Sequence, residues 1–373
     1  MITLDILDLP LWEKMKARRA LFSFDLEITA RCNNDCRHCY INLPAGDRQA
    51  CSKELTVQEI SDIADQAVAL GALWVLISGG EPLLRDDFAE IYLLLKKKGL
   101  LVSVFTNATL IGTGHIELFR QYPPRDIEVS VYGVTMESYE RVTGRPGSFA
   151  SFMNGLNRLF DNGIKVRLKA MAIRSNFEEL PAIAAFCRAH TKDFFRFDSQ
   201  LHLRFDRNEK RNLMIISERL TPDEFVALER SDAERFSALE KSCDLLVNEK
   251  FTYRDDDYLF HCGVGKGSFT VSYDGKFRLC SSLWASGTVY DLRQGKLAEA
   301  WNEFVPNIQN MRSCSPEYLG KCRSCAIVNL CLWCPAHADL ETGELDRPID
   351  YFCQVAHARA DAIEEAARHE NIV

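Results

Sequence analysis

Three cysteines, Cys32, Cys36 and Cys39, follow directly on an alternating apolar run, Leu21-Phe22-Ser23-Phe24-Asp25-Leu26-Glu27-Ile28-Thr29. Thiolates at this spacing can hold three irons of a [4Fe–4S] cube. No fourth cysteine lies nearby, which leaves one iron for an exogenous ligand. Structural clusters normally use four protein thiolates, so a cluster with an open iron points to chemistry rather than bracing. A zinc site or a purely structural site is the competing reading of the same spacing.

The neighbouring residues sharpen the assignment. Aromatic rings flank the third cysteine at His38 and Tyr40. Further on, Leu73-Trp74-Val75-Leu76-Ile77 reads as a buried strand that runs into Ser78-Gly79-Gly80-Glu81-Pro82. With these residues together, the chain resembles the radical S-adenosylmethionine (radical SAM) enzymes. The resemblance implies a [4Fe–4S] cluster on Cys32, Cys36 and Cys39, with His38 against the adenine of S-adenosylmethionine and Tyr40 beside the cofactor. It also implies that the Gly79-Gly80-Glu81 turn meets the methionine ammonium group. Glycines let backbone approach a ligand closely, and a carboxylate at a strand end can accept hydrogen bonds from a cation. Further cofactor contacts are expected from Thr106, Asn107, Ser130, Arg141 and Arg145, whose hydroxyls, amide and guanidinium groups suit ribose and carboxylate. Lys169 and His202, on inward-facing strands, are candidate site residues without an assigned role. Asn176 reads equally as a helix N-cap or a ligand, and Cys51 and Cys187 read as ordinary free cysteines. The implied chemistry is one-electron cleavage of S-adenosylmethionine to a 5′-deoxyadenosyl radical, which abstracts a substrate hydrogen. The protein would position the cofactor and exclude water.

A second group of eight cysteines lies between positions 262 and 353. Cys322-x2-Cys325-x5-Cys331-x2-Cys334 has too short a spacer for a zinc ribbon, whose two CxxC pairs stand about 15–20 residues apart. Upstream, Tyr273-Asp274-Gly275-Lys276 reads as a hairpin turn between strands at 268–272 and 277–279. This pattern resembles the SPASM extension of radical SAM enzymes that modify peptides and proteins. The resemblance implies interleaved ligands for two auxiliary iron–sulfur clusters: Cys262, Cys280 and Cys334 for the first, and Cys322, Cys325, Cys331 and Cys353 for the second. The segment Gly263-Val264-Gly265-Lys266-Gly267 supplies no further cysteine. The first auxiliary cluster therefore has an open iron or borrows Cys314. Cys331 and Cys334 are spaced x2 where x3 is common. Sulfatase-maturing relatives carry an aspartate after the second auxiliary cysteine; here Ser281 follows Cys280, which weakens that reading. A zinc-stapled tail is the alternative for the whole region.

These motifs need a frame. Strand-like runs at 101–105, 127–132, 164–173 and 194–205 alternate with helical segments at 114–122, 136–143, 149–162 and 177–190. Thr56-Val57-Gln58-Glu59 is a capping box opening a helix that stops near Gly71, and another helix covers 86–98. Six βα units in order imply a parallel sheet, and the resemblance makes it a partial (β/α)6 barrel with its chemistry at strand C-termini. The expected division is an N-terminal extension (1–20), the barrel (21–205), a helical bridge (206–250) whose helix runs from Thr221 to about Asn248, and an α/β protein's cysteine-rich SPASM domain with a C-terminal helix (251–373).

Composition sets the outer bounds. A net charge of −8 argues against a nucleic-acid partner. The longest apolar stretch, 67–77, is far short of the ~20 residues of a membrane span. The N-terminus lacks a signal-peptide pattern, so the 14 cysteines read as thiolates in a reducing cytoplasm. The favoured function is modification of a ribosomally made peptide by a thioether or carbon–carbon crosslink or a related side-chain oxidation. With only 31 residues before Cys32, leader recognition is expected from a separate protein or from direct docking, and electrons from a flavodoxin or ferredoxin. Tetrapyrrole-type small-molecule chemistry is the runner-up, and a non-catalytic iron–sulfur electron carrier is third.

Overall fold

The computed structural model describes residues 20–191, 197–233, 236–237, 257–263 and 265–370. Six strands run parallel in chain order: β1 (Ser23–Thr29), β2 (Trp74–Gly79), β3 (Leu101–Thr106), β4 (Asp126–Ser130), β5 (Val166–Met171) and β6 (Phe197–Asp198). On the other side of β1, β7 (Ser268–Val271) pairs in parallel with Ser23 opposite Ser268. The strands β8 (Lys276–Arg278) and β9 (Tyr290–Asp291) follow antiparallel. The result is one nine-stranded sheet, ordered β9-β8-β7-β1-β2-β3-β4-β5-β6. The hairpin expected in the C-terminal domain is thus hydrogen-bonded onto the barrel's first strand. Its turn needs Gly275, whose φ of 83° is left-handed.

Strand alternation sorts the side chains into two faces. Phe24, Leu26, Ile28, Val75, Ile77, Val102, Val104, Ile127, Val129 and Leu168 are buried in the main hydrophobic core. That core also holds Ile60, Ile63, Ala64 and Ala67 of helix Val57–Ala69, and Phe88, Ile91, Tyr92 and Leu95 of helix Phe88–Lys97. The opposite face carries Asp25, Glu27, Leu76, Ser78, Phe105, Ser130, Lys169 and Met171, which line an internal cavity. The capping box at Thr56 and Glu59 is present as expected, and helix Met136–Thr143 has the bounds read from the sequence.

Three readings differ from the structure. The strand expected at 194–205 is β6 alone, with 192–196 outside the described residues. Leu201 and Leu203 keep the buried alternation but enter a separate cluster with Val142, Ile173, Ile215 and Leu340. Apolar alternation reports burial, and among the described residues no neighbouring strand pairs with them. The helix opening at Thr221 is described as Pro222–Arg230, and the remainder of the expected span from 238 onward lies outside the described residues. Short helices at Arg48–Lys53 and Glu209–Ser217 were not anticipated; Asp47 and Asn208 cap them. Among the described residues no helix is long and apolar enough to cross a membrane.

Candidate active site

The cysteine loop leaves β1 and is pinned on two sides. Asp35 N and Arg37 N donate to the carbonyls of Thr143 (2.8 Å) and Val142 (3.1 Å) at the end of helix Met136–Thr143. Gly144, at φ 63°, lets that helix end close on the loop, since a Cβ there would stand 2.9 Å from Asp35 O. On the β2 side, Gly80 N and Glu81 N donate to Thr29 O (2.7 Å) and Arg31 O (2.8 Å). A Cβ on Gly79 would fall 2.1 Å from Thr29 O, and one on Gly80 2.3 Å from Arg31 O. The glycines are therefore required for β2 to close onto the base of the cysteine loop, a packing reason beyond any ligand approach.

The three cysteines line one cavity. Burial raises the Cys32 thiol to about 12, with nearby Glu81 and Cys39 adding to the shift. Cys36 is raised by burial and then by Cys39 and Cys32. Cys32 Sγ receives Asn34 N at 3.4 Å and Asn107 Nδ2 at 3.8 Å. Mutually repelling thiolates in a buried loop need compensating positive charge, which bound iron supplies. Nearby, His38 Nδ1 and both side-chain polar atoms of Asn34 are buried without a hydrogen-bond partner, as expected of groups waiting for a ligand. The residues present thus fit a cluster and a polar cofactor.

Glu81 departs from its expected posture. It is 0% exposed and lies beneath the turn: Oε1 accepts from Thr106 Oγ1 (2.8 Å) and Leu83 N (3.1 Å), and Oε2 from Asn107 N (2.7 Å). Its carboxylate joins the ends of β2 and β3 instead of entering the cavity. Burial raises its pKa from 4.5 to about 7, and these hydrogen bonds oppose the shift. The folded state therefore keeps this proton to about pH 7, whereas the unfolded chain loses it near 4.5. Between those values the unfolded chain binds fewer protons, so stability falls as pH rises. At about 1.4 kcal/mol per unit the loss is on the order of 3 kcal/mol. Glu81→Gln is expected to remove that part of the pH dependence, measured as urea midpoints near pH 5 and pH 7.5. A variant with the parent's pH dependence would place the ionisation elsewhere.

The cavity above the loop is about 350 Å3 and is lined by Cys32, Cys36, His38, Cys39, Tyr40, Gly79, Gly80, Thr106, Asn107, Ser130, Lys169 and His202. His38 meets Tyr132 edge-on at 5.1 Å, and burial lowers its pKa to about 4, leaving it neutral. Tyr40 lies 5.6 Å from the His202 ring. His202 Nδ1 meets Ser282 Oγ, and burial lowers its pKa. Lys169 Nζ stands 3.6 Å over the Phe105 ring and 3.7 Å from Glu128. The two arginines do not reach the cavity lining. Arg141 donates to Ser175 O at 2.9 Å and pairs with Glu137 one turn back; Arg145, turned by Gly144, donates to Asn33 O and ties down the cysteine loop. Asn176 is a brace, 1% exposed, donating to Tyr132 O and Met171 O and accepting from Ile173 N. Cys187 is core and Cys51 exposed.

Sequence reasoning missed Asp25, Glu27, Tyr132, Asp198, Gln200 and Thr270 in this lining. The available signal was two carboxylates alternating with Phe24, Leu26 and Ile28, since central parallel strands ordinarily read as continuous apolar runs.

Among the C-terminal cysteines, the thiols shift one another's pKa. Burial raises Cys334 to about 12, with Cys280 and Cys262 adding to the shift, and Cys262 acts likewise on Cys280. Burial raises Cys322 to about 11, with Cys331, Cys353 and Cys325 all acting on it; Cys353 and Cys325 also act on Cys331. Cys322, Cys325, Cys331 and Cys353 line a cavity of about 190 Å3 together with Cys262 and Cys334. Arg359 holds the helix bearing Cys353, pairing with Glu229 at 2.6 Å and donating to Leu330 O at 2.7 Å. Cys314 is exposed and lines neither this cavity nor the one beside Cys280. Among the described residues no group of three or more His, Cys, Asp or Glu side chains is arranged to hold a single metal ion. Cubane clusters use more widely spaced thiolates than one zinc does, so this bears on the zinc alternative more than on a cluster.

Residues 26–187 match the radical SAM superfamily. Among curated proteins, the chain is 24% identical to Fe-coproporphyrin III synthase of Methanosarcina barkeri, over 82% of this chain and 80% of that protein. It is 31% identical to the AdoMet-dependent heme synthase of the same organism over 41% of this chain and 43% of that one. It is 29% identical to the subtilosin biosynthesis protein AlbA of Bacillus subtilis over 50% and 43%. In structure it is similar to Streptococcus suis SuiB bound to precursor peptide SuiA, with TM-score 0.66, 16% identity and coverage of 95% and 83%. It is also similar to anSMEcpe with bound AdoMet, with TM-score 0.64, 12% identity and coverage of 95% and 96%. At these identities the structural likeness establishes a shared fold.

Proposed function

Because this chain belongs to the radical SAM superfamily, we propose that it cleaves S-adenosylmethionine to modify a side chain of a ribosomally made peptide. The observation that supports this reading is the position of Cys280, which lines a cavity that shares Asp25, Thr270 and Ser281 with the barrel cavity. Cys32, Cys36 and Cys39 would hold the catalytic cluster, Cys262, Cys280 and Cys334 one auxiliary cluster, and Cys322, Cys325, Cys331 and Cys353 another. With S-adenosylmethionine bound, the catalytic cluster supplies a 5′-deoxyadenosyl radical. The chain's own part is positioning. His38, Tyr40, Asn107 and Ser130 line the space for the cofactor, Gly79, Gly80 and Glu81 fix the loop that carries it, and Arg145 holds the loop's carbonyl. A flavodoxin or ferredoxin would supply the electron.

Likeness to Fe-coproporphyrin III synthase over 82% of this chain and 80% of that protein favours a second reading, chemistry on a tetrapyrrole. The cavity weighs against it: Asp25 and Asp198 line the space, and they would repel the carboxylates of such a substrate. The test is the fate of substrate hydrogen. A candidate precursor peptide, made with deuterated side chains, should pass deuterium into 5′-deoxyadenosine; Fe-coproporphyrin III is the probe for the second reading.

A further inference from the structure

We infer that Asp25 anchors the substrate, its carboxylate receiving an ammonium or guanidinium group carried next to the carbon that is modified. The inference rests on the function proposed above and deepens it by naming the charge of the substrate's reacting end.

Asp25 stands midway along β1, opposite Leu76 of β2 and Thr270 of β7. It lines the large cavity and also a second one, of about 330 Å3, that contains Gly263, Thr270 and Cys280. Asp25, Thr270 and Ser281 are common to both linings. The carboxylate therefore sits where the space above the Cys32 loop meets the space beside Cys280, where a substrate must lie to be within reach of both.

It is also the cavity acid without a partner. Glu27 pairs with Arg278, and Asp198 Oδ1 accepts from Gln200 N at 3.1 Å. Among the described residues Asp25 receives no hydrogen bond or ion pair; Lys169 and Arg278 act on it only through their field. The cations that could serve it are committed. Arg278 is 0% exposed, bound to Glu27 and to Ser281 O, and stacked 3.8 Å over Trp284. Lys169 lies on Phe105 beside Glu128, and His202 is held neutral by burial. A carboxylate left unpaired inside a protein is destabilising, and the group that relieves it is an incoming cation. Burial places its pKa at about 6, so it is ionised at neutral pH. The charged groups around it are Glu27 on β1, Arg278 on β8, Lys169 on β5 and Asp198 on β6, and Glu128 on β4 pairs with Lys169.

The test uses the full chain, reconstituted anaerobically with iron and sulfide and saturated with S-adenosylmethionine. It is titrated calorimetrically with n-butylammonium and methylguanidinium as side-chain fragments, with n-butanol as the uncharged control. The two cations are expected to bind, more tightly as pH rises through about 6, while butanol does not. Asp25→Asn should weaken cation binding roughly tenfold or more, with iron content and S-adenosylmethionine affinity at the parent's values, and Asp25→Glu should restore part of the loss. Equal cation binding by the parent and Asp25→Asn overturns the inference. So does a loss of S-adenosylmethionine affinity in Asp25→Asn, which would make Asp25 a cofactor contact. A parent protein that binds the cations but never cleaves S-adenosylmethionine on reduction contradicts the proposed function and leaves the anchor standing.

Discussion

Replacing Cys32, Cys36 and Cys39 together by alanine is expected to abolish 5′-deoxyadenosine formation and remove one of three clusters, about 4 of roughly 12 irons. The expectation follows from the shared cavity. Cys39 raises the Cys32 thiol, and Cys39 and Cys32 both raise Cys36, so thiolates on this loop need a shared positive centre. The fold should survive, because the loop's anchors are backbone hydrogen bonds to Thr143, Val142 and Thr29 rather than the thiols themselves. Far-ultraviolet circular dichroism should match the parent, while the iron assay and the chromatographic assay for 5′-deoxyadenosine both fall. A variant that retains full iron, or that still forms 5′-deoxyadenosine, would remove these residues from the catalytic centre.

The second large effect concerns two cysteines three positions apart. The proposed cluster assignment puts Cys331 and Cys334 in different sets, and the thiols that act on them differ: Cys353 and Cys325 act on Cys331, Cys280 and Cys262 on Cys334. Single alanine variants are therefore expected to damage different clusters. Cys331→Ala should lower the second auxiliary cluster, and Cys334→Ala the first, each with a loss approaching 4 irons of roughly 12. The electron paramagnetic resonance signals of the reduced proteins should change in complementary ways. Loss of the same signal in both variants, or zinc in place of iron at these cysteines, would defeat the interleaved assignment. Cys314→Ala should leave iron content intact, since that residue is exposed and lines neither C-terminal cavity.

Much of this architecture is legible in sequence because local rules and tertiary packing agree. Alternation in β1, the reciprocal cap at Thr56 and Glu59, and the left-handed Gly275 turn each have a local cause, and each is present. The glycines after β2 are legible too, but for a different reason from the one the structure gives: they admit Thr29 and Arg31 carbonyls. Glu81 shows the limit. A carboxylate in a glycine turn reads as a ligand, yet its three donors, Thr106, Leu83 and Asn107, become neighbours only when β2 and β3 are side by side. Arg141 and Arg145 illustrate the same point, since the Gly144 turn decides which way a guanidinium goes. Asp25 and Glu27 were hidden in a run whose apolar residues drew the eye. Their polarity has meaning only once six strands enclose the space they face.

The most direct measurement is hydrogen transfer. The reduced, reconstituted protein is mixed with S-adenosylmethionine and a candidate precursor peptide carrying deuterated side chains, and the 5′-deoxyadenosine is analysed by mass spectrometry. The account predicts deuterium in the 5′-deoxyadenosine, and a peptide product that has lost hydrogen in step with it. Unlabelled 5′-deoxyadenosine beside an unchanged peptide, together with turnover of Fe-coproporphyrin III, would contradict it.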